Sequence, residues 1–140
     1  VPIWLHIQSP GGSTPAAFAV AGTILGLLSP IYTTIEGECC SGGTIISMAG
    51  RRRLIQSTAQ VLIHQLQGAY WGNYEQMTDH MKLYDMVMEQ IVAFYTRYSK
   101  MSAEQVRSRL TRESWLSPDE CLELGIVDEI LNYASTIGQN

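Results

Sequence analysis

Ser41 is the residue in this sequence best placed to attack a carbonyl. An apolar run, Ile31 to Ile35, reads as a buried strand, and Gly37 supplies a tight turn after it. Ser41 then opens a run, Thr44 to Gly50, with helical patterning. Its hydroxyl stands at the positive end of that helix, beside the backbone N–H of Gly42, which can meet a developing negative charge. Strand, sharp turn, nucleophile and helix are the layout of a nucleophile elbow. The same position suits a serine that only caps a helix. The adjacent Cys39 and Cys40 are further nucleophile candidates.

A serine nucleophile needs a base, and the base needs an orienting group. The chain has three histidines. His6 sits inside the first strand and reads as space-filling. His80 sits among polar residues of a long helical pattern and reads as solvent-facing. His64 ends the apolar run Val61-Leu62-Ile63, before a Gly-rich loop. Strand ends of open α/β sheets are where sites form. Carboxylates for the orienting role are many, and periodicity does not choose among them.

The elements that must position these groups follow in chain order. Val1 to Gln8 reads as a strand. Ser9-Pro10-Gly11-Gly12-Ser13 is a loop that permits close backbone approach. Pro15 suits a first helical turn, and the pattern from Ala16 to Leu28 is helical until Ser29-Pro30 stops it. With the Ile31 strand this forms a right-handed βαβ unit. Leu54–Gln56 and Val61–His64 read as two short strands. The loop from Gln65 to Gly72 is rich in Gly and aromatic residues. A long helix is expected from about Tyr74 to Lys100. Its stripe of Met77, Met81, Tyr84, Met88, Ile91 and Tyr95 reads as core or subunit interface, and not as a cofactor box. Ser102-Ala103-Glu104-Gln105 and Ser117-Pro118-Asp119-Glu120 are capping boxes. Gly125 suits a helix C-cap, and Ile126 to Leu131 reads as a last strand. The alternation predicts an α/β protein with a mainly parallel sheet.

Composition narrows the function classes. The chain has 140 residues, 46% hydrophobic and 16% charged, with a net charge of −4. That length suits one domain with a real core. The charge argues against nucleic acid as a partner, and Arg51-Arg52-Arg53 reads as a solvated loop. No apolar run is long enough to span a membrane. Three cysteines, two of them adjacent, make no disulfide framework and no zinc spacing. A reducing, cytoplasmic-type compartment fits, or an organelle if a targeting segment precedes this sequence. The chain begins at Val1, inside a strand, so an N-terminal part is expected to be missing.

Four ordered stretches together resemble the family of Clp protease proteolytic subunits, within the ClpP/crotonase-like superfamily. Ser9-Pro10-Gly11-Gly12-Ser13 is similar to its Ser-Pro-Gly-Gly loop. Gly37-Glu38-Cys39-Cys40-Ser41-Gly42-Gly43 is similar to its Gly-Gln-Ala-Ala-Ser-Met-Gly elbow. Val61-Leu62-Ile63-His64-Gln65 matches the strand that carries its histidine. Trp115-Leu116-Ser117, Glu120 and Leu124-Gly125-Ile126-Val127-Asp128 follow its C-terminal pattern.

The resemblance implies repeated β-α-β units, a mainly parallel sheet and a long protruding helix. It implies one serine-peptidase domain over residues 1–135 and a tail at 136–140. Ser41 would be the nucleophile and His64 the general base. The family's aspartate falls at Glu113. The oxyanion hole would use the backbone N–H groups of Gly12 and Gly42. An extended substrate would pair with the backbone around Gly11, Ser13, Leu66 and Gln67. The resemblance further implies two stacked seven-membered rings, homo- or hetero-oligomeric, and unfolded polypeptide substrates delivered by an AAA+ ATPase. The chain itself would need no metal and no cofactor, with ATP used by that partner.

Departures from the family pattern are Glu113 for Asp, Leu66 for Pro, and Cys39, Cys40 and Gly42 around the nucleophile. They keep open a catalytically weak or silent ring subunit. A crotonase-like acyl-CoA enzyme is a further alternative, since such enzymes also use backbone oxyanion holes.

Overall fold

The computed structural model describes residues 1–132. The elements are β1 (Ile3–Ser9), α1 (Thr14–Gly26), β2 (Ile31–Cys40), α2 (Gly42–Met48), β3 (Arg52–Gln56), β4 (Gln60–Ile63), α3 (Tyr74–Tyr98), α4 (Ala103–Leu110), β5 (Ser114–Leu116), α5 (Pro118–Glu123) and β6 (Glu129–Leu131). The expected tail at 136–140, and with it the end of the expected domain, lies outside the described residues.

Six strands form one sheet in the order β5-β4-β2-β3-β6, with β1 added along β2. Every pairing is parallel except β4 with β5. The fold is therefore α/β with a mainly parallel sheet, as the alternation of elements predicts. The central strand is longer than its apolar run implies. It does not turn after Ile35 but continues to Cys40. Gly37, at φ 60°, bends it between two pairing partners. Before the bend, Tyr32 to Ile35 pair with β3; beyond it, Glu38 to Cys40 pair with β4. The left-handed φ favours glycine there, and a Cβ would also come within 3.2 Å of the Gln8 side chain.

The core lies between the sheet and the helices, with Ile35, Ile55, Val61, Ile63, Ile45 and Tyr95 among its fully buried members. Both predicted capping boxes form, at Ser102/Gln105 and Ser117/Glu120, and Asn73/Gln76 makes a third at the start of α3. Gly125 takes the left-handed conformation just after α5, with φ 74°.

Three expectations need correction. His6 does not fill space; it is exposed, and its Nδ1 lies 2.7 Å from Glu36 Oε1. His80 is not solvent-facing; it is half-buried, stacked on Tyr70 and in tilted contact with Tyr84. Arg52 and Arg53 open β3 and do not belong to a solvated loop; Arg53 Nη2 lies 2.7 Å from Asp128 Oδ1. The Met stripe divides in two: Ile91 and Tyr95 at its C-terminal end are buried in the core, while Met77 and Met81 are half exposed, as the alternative of a subunit interface requires. Strand β5, three residues long, carries too little pattern to be read in advance. Among the described residues, no helix is long and apolar enough to cross a membrane.

Candidate active site

The site is assembled on the far end of β2. Ser41 N–H donates to Leu62 O at 2.8 Å, which extends the β2–β4 ladder up to the elbow. The chain then reverses at Ser41 itself, with φ 52° and ψ −117°. Among the described residues it is the only non-glycine residue with positive φ. Such a conformation is costly for a residue with a Cβ, and it persists only where the surroundings impose it. Ser41 occupies the N-cap position of α2, yet its hydroxyl makes no capping hydrogen bond. The capping function is thus not what holds a serine here. Its carbonyl instead accepts from Thr44 Oγ1 at 2.5 Å, and Thr44 is in turn hydrogen-bonded to the buried Tyr95 hydroxyl.

The Ser9–Ser13 loop is pressed against this elbow. Gly11 N–H donates to Ser9 Oγ at 3.1 Å. A Cβ built on Gly11 would lie 3.0 Å from both Cys40 O and Ser41 Cβ, at φ 98°. The approach needs a residue with neither side chain nor conformational bias. Gly12 N lies 3.9 Å from where a Cβ of Gly42 would be, so the two glycine backbones face one another. Ser13 has a structural role, since its Oγ accepts from Ala16 N at 3.3 Å and caps α1.

Ser41, His64, Gly12, Gly42, Leu66 and Gln67 line one cavity of about 270 Å³. Ile45, Ile91 and Tyr95 supply an apolar wall. Gly11 and Ser13 line a second, smaller hollow of about 180 Å³ that shares Gly12 and Gly42 with the first. Ile45 had a local signal, because it stands one helical turn beyond Ser41. Ile91 had none, since only tertiary packing brings α3 to the elbow.

His64 follows β4 directly. Its Nδ1 lies 2.5 Å from Gln65 O, so Nδ1 carries the proton as donor and Nε2 is left as acceptor. Glu113 stands in a telling register. Val61, Leu62 and Ile63 face Leu116, Trp115 and Ser114 across an antiparallel ladder. The ladder ends at that last pair, with His64 and Glu113 next to it in sequence, and Gln65 N–H already donates out of register to Leu110 O at 2.9 Å. The Glu113 side chain is exposed and, among the described residues, makes no hydrogen bond or ion pair with His64 or any other group.

The cysteines are poor nucleophiles. Burial pushes the Cys39 thiol up to about 12, against a hydrogen bond with Ser47. Burial, reinforced by the Glu38 charge, also raises Cys40. The thiolate is the reactive form, so both are quiet at neutral pH. Among the described residues, no group of three or more His, Cys, Asp or Glu is arranged to hold a metal ion.

Comparison with known proteins gives a consistent neighbourhood. The family model for Clp protease matches residues 1–134. The chain is 34% identical over 141 residues to the ATP-dependent Clp protease proteolytic subunit of Streptococcus sanguinis (strain SK36), covering 95% of this chain and 70% of that protein. It is 32% identical over 136 residues to the protein of the same name from Streptococcus gordonii (strain Challis), covering 92% and 68%. A relative of that name from Streptococcus pneumoniae (strain Hungary19A-6) is 31% identical, with the same coverage.

Proposed function

Because the chain belongs to the Clp protease family, we propose that it is a serine-type endopeptidase subunit with Ser41 as nucleophile and His64 as general base. The observation that carries this reading is the state of Ser41. It is held at positive φ, caps nothing, and shares a cavity with His64 and two glycine backbones. Strain kept at a residue whose hydroxyl does no capping supports the reading of a reacting group, since such strain clusters at active sites.

In this reading Ser41 Oγ attacks a peptide carbonyl while His64 Nε2 takes its proton and later passes it to the leaving amine. The N–H groups of Gly12 and Gly42 receive the oxyanion, each worth about 2.7–4 kcal/mol of barrier. Glu113, one residue before the end of the β4–β5 ladder, turns toward His64 to replace or supplement the Gln65 carbonyl and stabilises the imidazolium. The substrate lies extended beside Gly11–Ser13 on one side and Leu66–Gln67 on the other. The chemistry requires no cofactor. Subunits assemble into stacked seven-membered rings in the cytoplasm, and an AAA+ ATPase delivers unfolded polypeptides and consumes the ATP.

One observation favours a second reading, a catalytically silent ring subunit: the Glu113 carboxylate is not engaged with His64. An acyl-CoA enzyme is favoured by nothing comparable, since it has no need of a serine and a histidine in one cavity.

Fluorophosphonate labelling followed by peptide mass spectrometry separates these readings. The expected result is a single adduct on Ser41, lost together with peptide hydrolysis in Ser41→Ala. Absence of any adduct favours the silent subunit. An adduct on Cys39 or Cys40 would overturn the assignment of the nucleophile.

A further inference from the structure

The basic run Arg51-Arg52-Arg53 borders a hollow of about 470 Å³ at the opposite end of α2 from Ser41. Arg51, Arg53, Arg97 and Lys100 line it, with Asp128 as the one carboxylate and Tyr98 as the aromatic member. The chain has nine lysines and arginines and a net charge of −4. Four of those nine cations therefore converge on one hollow of an acidic protein. Like charges held together repel one another unless an anion joins them.

Structural duties account for Arg53 and for part of Arg97. Arg53 Nη2 lies 2.7 Å from Asp128 Oδ1, its Nε donates to Oδ2 at 3.1 Å, and its Nη1 donates to Tyr98 O. That bidentate pair engages both oxygens of the only carboxylate. Arg97 stands over the Tyr98 ring at 5.5 Å, in the last turn of α3, where a cation suits the helix dipole. Among the described residues, the side chains of Arg51 and Lys100 make no hydrogen bond or ion pair. Burial opposes ionisation of Asp128, yet Arg53 and then Lys100 hold its carboxyl below the usual range, so the Lys100 charge is felt inside the hollow.

Lys100 is held in place by backbone. Its N–H donates to Leu124 O at 2.8 Å. Gly125, at φ 74°, lets the lysine stem lie directly against the chain: a Cβ there would fall 2.6 Å from Lys100 Cγ. The stem is thus set against the end of α5, and the ammonium has no partner there.

Three cations without a carboxylate of their own, around one concavity, call for a compact polyanion. A single phosphate meets one or two of them, whereas a chain of phosphates can meet all three. The guanidinium forks of Arg51 and Arg97 suit bidentate approach to phosphate oxygens, with Lys100 as a point charge. Small-molecule sites commonly measure about 300–1,000 Å³, so the hollow has room for such a chain. A flat acidic protein surface would leave recessed charges unmet. We propose that this hollow binds a ligand carrying two or more linked phosphate groups, gripped by Arg51, Arg97 and Lys100. It shares no lining residue with the Ser41 cavity and stands whether or not Ser41 reacts.

Isothermal titration calorimetry on the full chain, in magnesium-free buffer with inorganic triphosphate as the probe, tests the site. Triphosphate should bind saturably, and orthophosphate about tenfold or more weaker. Arg51→Gln and Lys100→Gln should each weaken triphosphate about tenfold or more, the worth of one charge-assisted hydrogen bond. Lys100→Arg should keep the binding, and so should Lys82→Gln, which removes the same charge from an exposed position on α3. ATP bound at least as tightly as triphosphate identifies a nucleotide as the ligand; ATP bound more weakly identifies an inorganic chain. No binding of triphosphate at millimolar concentration overturns the proposal. So does binding that survives Arg51→Gln combined with Lys100→Gln, or an equal loss in Lys82→Gln, which would show that only net charge is read. Hexaglutamate bound as tightly as triphosphate would assign the hollow to an acidic peptide and equally overturn it.

Discussion

Replacing Gly11 with alanine tests the link between loop geometry and the nucleophile. At φ 98° an L-residue with a Cβ is strained, at a cost of about 1–2 kcal/mol. The new methyl would also stand 3.0 Å from Cys40 O and 3.0 Å from Ser41 Cβ, so one of them must give by a few tenths of an ångström. The carbonyl precedes a ladder bond to β4, and the Cβ carries the proposed nucleophile. Strain and clash together should lower stability by about 1–3 kcal/mol. Displacement of about 1 Å in a reacting group can cost on the order of a hundredfold. A shift of a few tenths should therefore slow labelling of Ser41 about tenfold. Gly22→Ala is the matched control: that glycine lies in exposed α1, has no positive φ, and a Cβ there meets nothing within 4 Å. It should gain about 0.4–1 kcal/mol from the reduced freedom of the unfolded chain. Urea unfolding at constant m-value gives both stabilities. Wild-type stability and labelling in Gly11→Ala would refute the reasoning, as would equal destabilisation by Gly22→Ala.

Two further perturbations address the base and the assembly. Because the Gln65 carbonyl already holds the Nδ1 proton of His64, Glu113→Gln should lose only a screened charge contact, about 1 kcal/mol or roughly fivefold in turnover. Unchanged peptide turnover would remove Glu113 from the mechanism, and a loss near ten-thousand-fold would show instead that the tautomer depends on it. Trp71, Tyr74, Met77 and Met81 are 97%, 81%, 50% and 57% exposed, a patch of the kind that marks protein contact. Multi-angle light scattering should show an oligomer that Met77→Glu with Met81→Glu dissociates, and a wild-type monomer at high concentration would defeat that expectation.

Local chemistry is legible where it is written in adjacent residues. Ser102/Gln105 and Ser117/Glu120 form the boxes their spacing announces, because a cap is satisfied within one turn. Gly125 ends α5 for the same reason. What escapes a local reading depends on distant partners. The run of β2 through Gly37 to Cys40 follows from a change of neighbour, β3 to β4, which no local pattern records. The surroundings of His6 and His80 are hidden in the sequence because Glu36 lies on another strand and Tyr70 on a loop. At the candidate site, the Ser41 elbow and the Gly11–Gly12 loop can be read from the residues. The pairing that brings Glu113 to the neighbourhood of His64 cannot, since β5 is three residues long and is defined only by that pairing.

The shared dependence on β2 has a consequence for mutation. The elbow continues β2, the glycine loop follows β1 where Ser9 pairs with Cys39, and His64 follows β4 where Leu62 pairs with Cys40. The proposed nucleophile, oxyanion donors and base are thus three ends of one hydrogen-bonded ladder. A slip or distortion in the middle of β2 would reach all three at once. Substitutions far from the cavity, on the central strand, are therefore expected to change every proposed role together and not one at a time.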